Sequence, residues 1–191
     1  MARREPEVVP FMRIRTENCV GVIVDIQEKL LPHMFEHTEV HRNVLKLIQG
    51  LQVLGVPLML TEQYPKGLGP TVGTVAGLTS GVHPISKMSF SCLDEPQFSQ
   101  SLSALERKTV ILAGIETHVC VLQTAVDLSA AGYTPVIIAD CVSSRRRIDH
   151  ETALNRLSAE DAIVSTCESV LFELCRHAGT ETFRSISRLL K

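Results

Sequence analysis

No stretch of this sequence approaches about 18 consecutive apolar residues, so none of it reads as a membrane-spanning helix. A dominant charge is missing as well. The 19 Lys and Arg stand against 21 Asp and Glu, a net charge of −2, without the broad positive field that draws nucleic acid or an anionic membrane. Neither partner is expected. The first 18 residues lack the apolar core of a secretory signal, and Glu5, Glu7 and Glu17 do not suit a transit peptide. They read as an N-terminal extension, 1–18, ahead of one domain at 19–191. The expected location is the cytoplasm, with the mitochondrion as the alternative. There is no C-x-x-C pair among the six cysteines (19, 92, 120, 141, 167 and 175), which argues against a disulfide framework and for reduced thiols.

What is present is an alternation of two patterns. Short apolar runs at Cys19–Val24, Val56–Leu60, Val82–Ser86, Thr109–Ala113, Pro135–Ala139 and Ala162–Ser165 read as strands buried on both faces. Helical spacing lies between them, as in Val40, Val44, Leu47, Ile48, Leu51 and Leu54, closed by Gly55. Strands alternating with helices give an α/β fold with a parallel sheet of about six strands. Residues 65–84, with five glycines and three prolines, read as a long and mostly irregular excursion, and a loop of that length is usually functional.

In an open parallel sheet, ligands bind beyond the carboxyl ends of the strands. The polar residues there are Asp25, Glu62-Gln63-Tyr64, Lys87, Cys120 and Asp140. Cys120 falls between a strand and a helix. With Thr117 as N-cap it would sit in the first helical turn, where unpaired N–H groups stabilise a thiolate and lower its pKa. Its own N–H could serve an oxyanion. A carboxylate such as Asp25 can take the thiol proton, and Lys87, expected near solvent and dispensable to the fold, can hold both charges. Tyr64, Gln63 and His118 offer an apolar wall and neutral hydrogen bonds to a small, flat substrate.

Three other clusters carry less. Gly67 to Gly73 misses the G-x-G-x-x-G spacing of a dinucleotide site. His33, His37 and His41 would align on one helix, but Pro32 and Phe35 start that helix too late, so no metal site is expected. Arg145-Arg146-Arg147 reads as a solvated loop.

Taken in order, Asp25-Ile26-Gln27, Lys87 and Gly114-Ile115-Glu116-Thr117-His118-Val119-Cys120 resemble the isochorismatase-like cysteine hydrolases. LTEQYPKGLGPTV (60–72) is similar to the isochorismatase domain-containing subfamily. The resemblance implies a doubly wound sheet with helices on both faces and an Asp25–Lys87–Cys120 triad. It implies a cis Ile115–Glu116 peptide, an oxyanion hole from the Glu116 and Cys120 N–H groups, and substrate contacts that include Gln27. It also implies a homo-oligomer, a dimer or tetramer. Leu30 stands where the family often has an aromatic. Glu62-Gln63-Tyr64 replaces the Asp and His by which nicotinamidases bind metal, so neither metal nor cofactor is expected. Isochorismatase itself cleaves a vinyl ether without a cysteine nucleophile, so the resemblance does not settle the reaction. The expectation is a metal-independent hydrolase of a small amide or related carbonyl compound, working through a thioester. The alternative is an interaction protein, or a redox sensor using the same thiol.

Overall fold

The computed structural model describes residues 12–160 and 162–191. Six strands form one parallel sheet: β1 (Cys19–Val24), β2 (Leu58–Gln63), β3 (Ile85–Lys87), β4 (Thr109–Ile115), β5 (Thr134–Ser143) and β6 (Ile163–Ser165). Their order is β3-β2-β1-β4-β5-β6. The chain winds outward from β1 through β2 to β3, returns beside β1 as β4, and winds out the other way. That reversal puts a crevice between the carboxyl ends of β1 and β4.

Alternation along the strands divides the core. Cys19 and Ile23 of β1, with Ile111, Ala113 and Ile115 of β4, face helices α1 (His37–Val53), α7 (Cys167–Cys175) and α8 (Glu181–Leu190). Val20, Val22, Val110 and Leu112 face α4 (Pro96–Ala104), α5 (Leu122–Ala130) and α6 (Arg147–Ala159). A sheet covered on both faces explains why its central strands carry unbroken apolar runs. Ile14, ahead of β1, is also buried in the core, and its N–H donates to Glu173 Oε1 at 2.8 Å. The rest of the predicted extension, residues 1–11, lies outside the described residues.

Strands β1 and β4 approach closely where it matters. Gly114 has φ +136°, and a Cβ there would run into the Val24 carbonyl oxygen. Only glycine fits. The pairing of β4 with β5 shifts register at this point, between Leu112 and Gly114.

The structure corrects three expectations. Residues 65–84 are not mostly irregular: they contain helices α2 (Pro65–Leu68) and α3 (Gly73–Leu78). The glycines and prolines obscured them, yet Pro65 at a first helical position favours a start. Strand β2 begins at Leu58 rather than Val56 and runs on to Gln63, because its polar end pairs with β3 through Thr61, Glu62 and Gln63. Strand β5 continues past Ala139 to Ser143.

Candidate active site

Asp25 ends β1 in a left-handed conformation, φ +54°, and is completely buried. Thr61 Oγ1 on β2 donates to its Oδ1 at 2.8 Å. Its Oδ2 accepts from Lys87 Nζ at 2.7 Å. Lys87 reaches across the end of β2 to make this contact. There the ammonium also donates to Gln63 Oε1 at 2.7 Å and to the carbonyls of Ser89 and Phe90 at 3.3 and 3.2 Å. Lys87 is therefore not near solvent, since only 2% of it is exposed. The three-residue strand β3 ends its side chain inside the crevice. Burial draws the ammonium's pKa down, but the charges of Asp25 and the nearby thiols outweigh it and hold it above the ordinary value.

Cys120 comes to the same place from β4. The peptide bond between Ile115 and Glu116 is cis, and Thr117–Val121 then form a π-helical turn ahead of α5. The N–H groups of Val119 and Val121 both reach Glu116 O, at 3.1 and 3.2 Å. This differs from the expected first turn of an α-helix capped by Thr117. Glu116 holds the cap position, and the Thr117 hydroxyl is engaged with His150 Nδ1 at 3.0 Å.

The expected lowering of the Cys120 pKa is overturned. Burial first, and the neighbouring Asp25 carboxylate second, push the thiol up to about 12, against a smaller downward pull from Lys87. A helix terminus cannot offset desolvation beside an anion. The resting group is a thiol next to a carboxylate that can receive its proton.

Gln27 and Gln63 have work other than holding a substrate. Gln27 Oε1 accepts from the Gln63 N–H at 2.8 Å, and its Nε2 donates to the carbonyls of Gln63 and Gly69 at 3.0 and 2.6 Å. It pins the β2–β3 connection against the segment after β1. Gln63 donates to Met88 O at 2.9 Å while accepting from Lys87. Both side chains are engaged by neighbours that the string could not show. Glu62 is also occupied: its Oε1 accepts from Thr71 N and Oγ1 at 2.6 and 2.7 Å, holding the same connection. Asp140 fastens α7 by accepting the Cys167 N–H at 2.8 Å. Among the described residues no group of three or more His, Cys, Asp or Glu is arranged to hold a metal ion.

Tyr64 is 47% exposed, and its ring covers Gly67. It lines a cleft of about 550 Å³ with Lys66, Ser86, Met88 and Glu95, beside the edge strand β3. Lys87 borders this cleft, but Asp25 and Cys120 do not. The crevice at the strand reversal, where ammonium, carboxylate and thiol converge, is a better candidate for chemistry than this cleft. His118, on the turn that carries Cys120, is half-buried, with Nδ1 2.8 Å from Ser144 Oγ.

Sequence reasoning missed Ser144, Arg145 and His150. Arg145 Nε donates to Glu116 Oε1 at 2.6 Å, so the arginine run is not merely a solvated loop. The strand-end rule would have selected Ser144 had β5 been extended to Ser143.

Residues 19–169 match the isochorismatase domain. The chain is 40% identical over 178 residues to zebrafish (Danio rerio) isochorismatase domain-containing protein 2, covering 93% of this chain and 89% of that protein. Among solved structures it resembles MAR1 ribonuclease from Caenorhabditis elegans, with a TM-score of 0.88, 33% identity, and 94% and 92% of the two chains covered. It also resembles YcaC from Pseudomonas aeruginosa, solved with hexane-2,5-diol and covalent acrylamide: TM-score 0.87, 25% identity, coverage 92% and 90%.

Proposed function

The chain belongs to the isochorismatase domain family, and from that membership we propose that it is a metal-independent cysteine hydrolase of a small amide or related carbonyl compound. The observation that carries this reading is the buried ion pair of Lys87 and Asp25, 2.7 Å apart, with Cys120 against the same carboxylate. Such a pair is costly to desolvate and adds little net stability, so its place at a strand-end crevice points to use.

Asp25 accepts the Cys120 proton as sulfur attacks the substrate carbonyl. A free thiolate is never required, which suits a thiol whose pKa lies far above neutrality. The negative charge moves to the carbonyl oxygen, where the Glu116 and Cys120 N–H groups stabilise it. Collapse breaks the C–N bond, and the proton on Asp25 leaves with the amine. Asp25 then takes a proton from water, water attacks the thioester, and a carboxylic acid and the thiol are released. Lys87 keeps Asp25 in place throughout. Gln27 and Gln63 hold the lysine and the wall around it. His118, on the nucleophile turn itself, is a side chain available to a substrate, and Tyr64 stands in the neighbouring cleft that Lys87 borders.

The redox-sensor alternative loses its support here, because it needs a thiol of low pKa. The relatives supply the test compounds. YcaC carries a covalent acrylamide, so that small amide is the first probe of Cys120. The worm relative is described as a ribonuclease, so RNA is the necessary counter-substrate. Intact-mass analysis during turnover of a panel of small amides should reveal an acyl adduct, absent in Cys120→Ser. Turnover that survives Cys120→Ser, or RNA cleavage in place of amide hydrolysis, overturns the reading.

A further inference from the structure

The turn that carries Cys120 is held from outside, by the connection between β5 and α6. Three successive side chains at its start each take a partner from that connection or from the first turn of α6. Arg145 binds Glu116, His150 binds Thr117, and Ser144 binds His118. The last contact is double: the His118 N–H donates to Ser144 Oγ at 3.4 Å, and the Ser144 hydroxyl lies 2.8 Å from the His118 ring Nδ1. The connection is itself anchored, since Ser143 Oγ donates to Phe35 O at 2.6 Å and the Phe35 N–H to Ser144 O at 2.8 Å. Thr117, Ser143 and Ser144 are all buried.

A π turn holds one more residue than the α-helical register provides, so helical hydrogen bonding alone does not set the direction of its amides. The Glu116 and Cys120 N–H groups need a defined direction if they are to meet an oxyanion. Side chains that fix Thr117 and His118 fix the peptides between them.

We propose that His150 and Ser144 are positioning residues that hold the nucleophile turn in its reactive geometry, acting through Thr117 and His118. The inference rests on the hydrolase reading, and Arg145, mostly exposed on its side chain, contributes least. With the imidazole neutral and its proton on Nε2, the buried Thr117 hydroxyl donates to His150 Nδ1. Asparagine presents an acceptor oxygen at a similar place, whereas leucine fills the space and offers none.

The test compares His150→Asn, His150→Leu, Ser144→Ala, Thr117→Ser and Thr117→Val in the full chain. It follows single-turnover acylation, KM, the thermal midpoint, and acrylamide addition to Cys120 by mass. His150→Leu, Ser144→Ala and Thr117→Val should each slow acylation by roughly tenfold or more, the scale set by small misplacements of reacting groups. KM should stay close to wild type. His150→Asn and Thr117→Ser should recover most of the rate. Acylation at the wild-type rate in His150→Leu overturns the proposal, as does a folded His150→Asn that fails as badly as His150→Leu. Should His150→Leu not fold, the Thr117 pair decides in the same way. If no amide acylates the wild-type enzyme, the hydrolase reading fails instead, and acrylamide addition across the same variants judges the clamp.

Discussion

Removing the charge of Asp25 and removing Lys87 should move the Cys120 thiol in opposite directions. The carboxylate raises it and the ammonium lowers it. Asp25→Asn should therefore bring Cys120 ionisation to lower pH, and Lys87→Met should push it higher still. Thiolate absorbance, read as the difference from the matching Cys120→Ser variant, measures both. Parallel shifts would mean that the three groups do not share one site. Lys87→Met should also destabilise the fold by about 3–5 kcal/mol, because it leaves Asp25 as an uncompensated buried charge. Asp25→Asn combined with Lys87→Met should recover much of that loss in urea denaturation. Additive losses would show that the two charges are not coupled.

At the scale of elements, the join of α6 to the Cys120 turn should be sensitive to acid. Burial lowers the pKa of His150 below its ordinary 6.5, although Glu151 on its own helix and Glu36 at the start of α1 pull the other way. The unfolded chain then binds the proton more readily than the folded one. Stability is whole above 6.5 and falls as pH drops below that value. The thermal midpoint should decline from neutral pH toward about 5 more steeply in wild type than in His150→Asn, which carries no titratable ring. Identical slopes would remove His150 from the account. Strand β5 illustrates the same join from the sequence side. Its apolar run stops at Ala139, but the pairing of Val142 and Ser143 with β4 continues it, and the clamp begins where it ends.

At the scale of the molecule, two expectations concern what surrounds the site. Activity should persist in EDTA, since Glu62 is engaged by Thr71 and family members that use metal have Asp and His there. Loss of turnover in EDTA, restored by a divalent ion, would refute this. The chain should also assemble with itself. Tyr64 and Met88, both exposed, line one cleft beside the unpaired edge of β3, where a second copy would bury them. Light scattering at micromolar concentration should give a mass above that of one chain, and a monomer mass alone would overturn it. Among the described residues no helix is long and apolar enough to cross a membrane.

The sequence by itself determined the layers, the number of strands and the strand ends where chemistry could lie. Those follow from local periodicity: buried strands need unbroken apolar runs, and helices need apolar residues every three or four. It also placed Asp25, Lys87 and Cys120 at three such ends. Only the tertiary structure decided what each of them is like. Whether a lysine at a strand end meets water or a carboxylate depends on which strands adjoin, and here β3 folds its terminal ammonium over β2 toward β1. The same adjacency raised the thiol that a helix terminus alone would have lowered, and tied Gln27 to the Gln63 carbonyl and Gln63 to the Lys87 ammonium, 36 and 24 residues away along the chain. Burial and charge act through space, so a pKa and a hydrogen-bond partner belong to the fold and not to the string.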